Sequence, residues 1–219
     1  MKTIHYQNRN YTILGDLKAS TFLIYLVDES NPEDYEQIYQ KISNEYQLCM
    51  ISVSIHDWQG ELSPWPAPAI FGKHDFAGNA AKFLAELEGF WKWFKDEYNI
   101  ESNQVYLCGY SLAGLFTLWA STHTNTFQKI ASVSPSVWFL NFVQYMQQNQ
   151  VHASEVYMSL GDKEANAKNK VMATVKACFD AVIQILQKQD IQLTYEYNPG
   201  NHFQDVELRM TKGIRQLLL

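Results

Sequence analysis

Short apolar runs alternate with longer amphipathic ones along the chain, and the two spacings predict different elements. Positions 22–27, 48–55, 104–108, 129–134, 155–160 and 192–197 are mostly apolar at consecutive residues and rich in β-branched or aromatic side chains. That is the pattern of strands covered on both faces of a parallel sheet. Between them the spacing becomes helical. A helix over 32–46 is announced by Asn31 as cap, Pro32 at its first position and Glu33 and Asp34 in its first turn, with Tyr35, Ile38, Ile42 and Tyr46 as its apolar stripe. A second, over 80–98, places Phe83, Leu84, Leu87, Phe90, Trp91 and Phe94 on one broad face, a core stripe. Further helices are predicted over 112–122, 169–188 and 205–219, and residues 5–14 read as a hairpin forming an antiparallel edge. The alternation predicts an α/β fold, with a mainly parallel sheet, helices on both faces and one domain over residues 1–219.

One segment interrupts this rhythm. Residues 57–74 hold Pro64, Pro66 and Pro68 with Trp58 and Trp65, which argues against regular helix or strand and for an ordered, aromatic loop. Coming directly after a strand, it belongs at the carboxyl ends of the sheet, where ligands bind in open α/β folds, and it either packs over the sheet or lines a pocket there.

Charge and composition remove several functions. A net charge of −6 leaves no basic stripe for nucleic acid, and no run approaches the ~20 apolar residues of a membrane span. The amino-terminal residues lack the apolar core of a signal peptide, so the expected location is cytoplasmic. Cys49, Cys108 and Cys178 are read as buried free thiols. His5, His74 and His152 have no metal-ligand spacing to neighbouring Cys, Asp or Glu, and no glycine-rich phosphate loop is present. No metal or cofactor is expected.

The chemistry concentrates around Ser111. Val105-Tyr106-Leu107-Cys108 reads as a strand, Leu115-Phe116-Thr117-Leu118-Trp119-Ala120 as a helix, and Gly109-Tyr110-Ser111-Leu112-Ala113 as the sharp turn between them. A strained serine turn of this kind needs small residues two before and two after the serine. A serine hydroxyl then needs a base to take its proton and an acid to orient that base. Where a nucleophile sits on such an elbow, acid and histidine follow it in that order. His202, after the last predicted strand, supplies the base. Gly161-Asp162-Lys163-Glu164, after the penultimate one, supplies the acid; the spacing from Gly161 selects Glu164, with Asp162 as the alternative. The oxyanion is assigned to the N–H groups of Leu112 and Glu29. Asp205 is read as capping the last helix. His123 lies ~18 Å along its helix from Ser111 at ~1.5 Å per residue, too far to act as base. His56 and Asp57 are read as a packed or solvated pair.

Together, Leu23 to Asp28, Trp58, Pro64-Trp65-Pro66, Gly109 to Leu115, Ser134-Pro135-Ser136-Val137-Trp138, Ser159 to Glu164 and Gly200-Asn201-His202-Phe203 resemble the putative esterase family of α/β-hydrolases. This group includes esterase D-like, feruloyl and siderophore esterases. Ala113 departs from its usual Gly, and Asp28-Glu29 from its usual Asp-Gly or His-Gly. The resemblance implies the α/β-hydrolase fold and a cofactor-free serine esterase acting on a small-molecule ester. It makes Ser111 the nucleophile, His202 the base and the loop from Gly161 to Glu164 the source of the acid, with Trp138 close by. Trp58, Trp65 and Trp138 are the candidate substrate-binding residues. The rival readings are a catalytically silent scaffold that binds a ligand or protein, and a thioesterase or acyltransferase using the same residues. A catecholate siderophore is disfavoured, because Lys73 is the only basic residue of the aromatic loop.

Overall fold

The apolar runs pair into one eight-stranded sheet in the computed structural model, which describes residues 1–28, 34–102 and 104–219. In chain order the strands are β1 (Lys2–Tyr6), β2 (Arg9–Gly15), β3 (Thr21–Asp28), β4 (Cys49–Ile55), the short β5 (Pro66–Ala67) and β6 (Phe76–Ala77), then β7 (Gln104–Tyr110), β8 (Lys129–Val133), β9 (Glu155–Gly161) and β10 (Gln192–Asn198). The helices are α1 (Asp34–Ser43), α2 (Trp58–Glu61), α3 (Ala80–Tyr98), α4 (Leu112–Ala120), α5 (Phe142–Gln148), α6 (Val175–Leu186) and α7 (Val206–Leu218). The main sheet runs β1-β2-β4-β3-β7-β8-β9-β10. It is parallel from β4 to β10 and antiparallel at the β1–β2 and β2–β4 pairs. This is the α/β-hydrolase architecture with its antiparallel amino-terminal edge.

Both faces are covered, so alternate residues of one strand enter different cores. On β3, Phe22, Ile24 and Leu26 join the core beneath α3, α4 and α6, whereas Leu23, Tyr25 and Val27 join the core beneath α1 and α7. The predicted stripe of α3 is buried as a whole, and the helix ends where Asn99 turns left-handed at φ 51, a stop that Asn tolerates. Because β4, β7, β8, β9 and β10 run in one direction, the loops that follow them gather along one edge of the sheet. Among the described residues no helix is long and apolar enough to cross a membrane.

Several elements depart from the sequence reading. Helix α1 ends at Ser43 instead of Tyr46, and its proposed start signal, Asn31, Pro32 and Glu33, lies outside the described residues. Residues 57–74 are not without regular structure. Asp57 Oδ1 accepts the Gly60 N–H at 2.9 Å and caps the single turn of α2, while β5 and β6 form a small antiparallel pair. The predicted 169–188 helix is a 3-10 turn, Met172–Thr174, followed by α6, because the Asn169 side chain takes up the Val171 and Met172 N–H groups. Helix α5 was not anticipated. It has two turns, buries only Phe142 and Met146, and starts at a left-handed Asn141 whose side chain makes no capping bond.

Candidate active site

Strand β7 delivers Ser111 to that edge, and α4 starts at the next residue. Ser111 has φ 61 and ψ −120, a backbone state costing ~1–3 kcal/mol that persists only when its surroundings hold it. The Ser111 N–H donates to Val133 O at 3.1 Å, and Ser111 O accepts from Leu115 N–H and Ser136 N–H, both at 3.0 Å. A Cβ at Gly109 would lie 2.4 Å from Ala113 O and 2.8 Å from Ala113 Cβ. Position 109 must therefore be glycine, and its missing side chain is what leaves room for the Ala113 methyl.

His202 follows β10, and Glu164 opens a 3-10 turn, Glu164–Asn166, after β9. The Ser111 Oγ lies 3.0 Å from His202 Nε2, and His202 Nδ1 lies 2.7 Å from Glu164 Oε2. A carboxylate only accepts, so Nδ1 carries the proton and Nε2 is left to accept from the serine hydroxyl. Asp162 does not face the imidazole. Its Oδ1 accepts the Gly200 N–H at 2.8 Å, which ties the loop after β9 to the loop bearing His202. Burial pushes the Glu164 pKa up. The His202 hydrogen bond and charge, the Gly161 N–H and the Ser134 hydroxyl together outweigh it and hold the carboxyl below its ordinary value.

Behind this row lies a residue that the sequence reading missed. Arg209, on the first turn of α7, is fully buried. Its Nη1 donates to Glu164 Oε1 (3.1 Å), Ser134 Oγ (3.2 Å) and Tyr110 Oη (3.3 Å), and its Nη2 to Pro199 O and Asn201 O (2.9 Å each). The Tyr110 hydroxyl in turn donates to His202 O at 2.7 Å. A legible signal existed: Arg209 falls on the stripe formed by Val206, Met210, Gly213 and Leu217, where an unpaired charge is costly.

Ser111 and His202 open into a cavity of about 480 Å³ walled by Trp58, Phe71, Trp138, Met172 and Phe203, with Lys168 beside them. Trp58 and Trp138 thus line the cavity. The Trp65 ring instead packs on Phe139 and Tyr145 and its Nε1 donates to Leu140 O at 3.0 Å, because the β5–β6 pair carries it away from the opening. Leu112, as the first residue of α4, has no intrahelical acceptor for its N–H, whereas Glu29 lies outside the described residues. Asp205 occupies the cap position of α7, but in a left-handed conformation without a side-chain capping bond. The His123 ring packs at a tilt against Trp119 and stacks on Tyr145 instead of approaching Ser111. Cys49 and Cys108 are buried and Cys178 only half-buried; burial pushes the Cys49 thiol up to about 12.

The sequence profile of the prolyl oligopeptidase family matches residues 80–199, a span that holds Ser111 and Glu164 and ends just short of His202. Among solved structures, an IroE-like serine hydrolase from Shewanella oneidensis is 17% identical with a TM-score of 0.78, over 96% of this chain and 75% of that one. The siderophore hydrolase EstB from Aspergillus nidulans is 11% identical with a TM-score of 0.77, over 99% and 94% of the two chains. The enterobactin esterase FES from Shigella flexneri is 13% identical with a TM-score of 0.71, over 95% and 55%. At such identities the likeness is one of fold. No curated protein compared with the chain matches it.

Proposed function

The chain belongs to the prolyl oligopeptidase family, and from that membership we propose that it is a serine hydrolase cleaving carboxylic esters through an acyl-enzyme. The observation that carries the reading is the relay itself, Ser111 Oγ to His202 Nε2 at 3.0 Å and His202 Nδ1 to Glu164 Oε2 at 2.7 Å. His202 takes the serine proton as Oγ attacks the ester carbonyl, and the Leu112 N–H is a donor for the oxyanion. His202 then returns the proton to the departing alcohol. A water molecule, activated the same way, releases the acid and restores Ser111. Glu164 keeps the imidazole in the tautomer that accepts from serine and stabilises the imidazolium when it forms. No step calls for a cofactor.

The cavity supports esters with an apolar or aromatic acid or alcohol portion, since rings from three separate loops face its interior. Of the fold neighbours, one is an enterobactin esterase and another a siderophore hydrolase, activities compatible with this reading. The test is a hydrolysis panel of aryl and alkyl esters, thioesters and a prolyl anilide, run beside fluorophosphonate labelling. The expected result is ester turnover and labelling at Ser111, both abolished in Ser111→Ala and His202→Ala. Folded wild-type protein that neither labels nor turns over any ester overturns the proposal, and faster cleavage of the anilide than of every ester would reassign it to peptide bonds.

A further inference from the structure

We propose that Arg209 is a positioning residue that sets, from behind, both the orientation and the proton affinity of the Glu164–His202 pair. The inference rests on the hydrolase reading for its kinetic consequences, but on geometry alone for its premise. One buried guanidinium joins the parts that must stay in register. It holds the acid through Glu164 Oε1, and the loop bearing the base through the Pro199 and Asn201 carbonyls. Ser134 and Tyr110 are held as well, and Tyr110 adjoins Ser111. Tyr110 extends the hold by donating to His202 O.

The division of labour on the carboxylate follows. Oε1 accepts from Arg209 Nη1 and from the Gly161 N–H at 2.7 Å, which leaves Oε2 for His202. The arrangement also explains Gly161, where a Cβ would sit 2.9 Å from both Arg209 terminal nitrogens and 2.5 Å from Gly200 O. Arg is suited to this place and Lys is not, because only a planar fork with several donors reaches carbonyls and a carboxylate on different loops at once. Around the pair stand Arg209 from α7, Tyr110 from β7, and Asp162 and Lys168 from the segment after β9. Among the described Lys and Arg residues Arg209 alone is bonded to Glu164, and its charge opposes protonation of the pair whether the proton rests on histidine or on the carboxylate.

The measurement is the NMR titration of the His202 imidazole in the full chain, with steady-state kinetics on the best ester of the panel. In Arg209→Gln the His202 titration is expected to rise by about one pH unit, carrying the acid limb of kcat/KM with it. In Arg209→Lys the charge remains, so the titration stays near the wild-type value. Its kcat nevertheless falls by about tenfold at nearly constant KM, because the two loops are no longer held together. A folded Arg209→Gln protein whose His202 titrates as in the wild type, or an Arg209→Lys enzyme with wild-type kcat, overturns the proposal. If Arg209→Gln does not fold, Tyr110→Phe decides. A lowered kcat at unchanged KM supports the hold on His202, and an unchanged kcat refutes it. Absence of fluorophosphonate labelling in the wild type would instead strike the hydrolase reading, while the titration still reports on Arg209.

Discussion

Two carboxylates lie on the short loop after β9, and their surroundings give them different work. Glu164 is nearly buried, with one oxygen on the imidazole, whereas Asp162 spends its side chain on the Gly200 N–H. Glu164→Gln keeps the shape but presents an amide that can donate to Nδ1 and so favour the wrong tautomer. A fall in kcat on the order of 10³ to 10⁴ is expected. Asp162→Ala removes one hydrogen bond between loops, costing ~1 kcal/mol of stability in denaturant melts and far less activity. The Glu164 pKa predicts a pH effect as well. Since the native value is depressed below the ordinary 4.5, ionised Glu164 stabilises the fold above that pH, and the stability is lost as pH falls through the native value. Urea unfolding of wild type and Glu164→Gln should therefore differ by progressively less as the pH falls below about 4.5. A gap that stays constant down to pH 3 would contradict this.

At the scale of elements, the strand–turn–helix unit around Ser111 was legible because its restrictions are local. A Cβ at Gly109 has no room, and the turn demands a small residue at 113. Gly109→Ala is expected to cost ~1–3 kcal/mol by overpacking, read as a lower melting temperature. Ala113→Gly should cost only ~0.5–1 kcal/mol through helix propensity and leave kcat intact, so that Ala113 is a full substitute for the usual glycine. The parallel strands were legible for a similar reason: burial on both faces forces consecutive apolar residues. Other elements depend on contacts distant in sequence. Helix α5 is short, uncapped and only partly apolar; β5 and β6 exist through their pairing with each other. Asp162 and Glu164 could be told apart only once the turn at Gly200 was in place. Arg209 left a trace, a charge on an apolar stripe, but its partners come from four separate segments and nothing local announces them.

For the molecule as a whole, the cavity is a product of strand order. Trp58 and Phe71 arrive from the segment after β4, Trp138 from the one after β8, Met172 from the one after β9 and Phe203 from the one after β10. No single segment walls the cavity, so for the proposed hydrolase each wall should act on a different part of the substrate and the effects should depend on substrate size. Trp58 faces the cavity, whereas the Trp65 ring is committed to Phe139 and Tyr145 and its N–H to Leu140 O. Trp58→Ala is therefore expected to lower kcat/KM for aryl and long-chain esters by about tenfold, equivalent to ~1.4 kcal/mol, mainly through KM, and to leave acetate esters nearly unaffected. Trp65→Ala should do the reverse, lowering the melting temperature through ~1–3 kcal/mol of lost packing while the ranking of esters stays as in the wild type. Equal effects of the two substitutions across the ester panel would mean that the cavity beside Ser111 does not select the substrate.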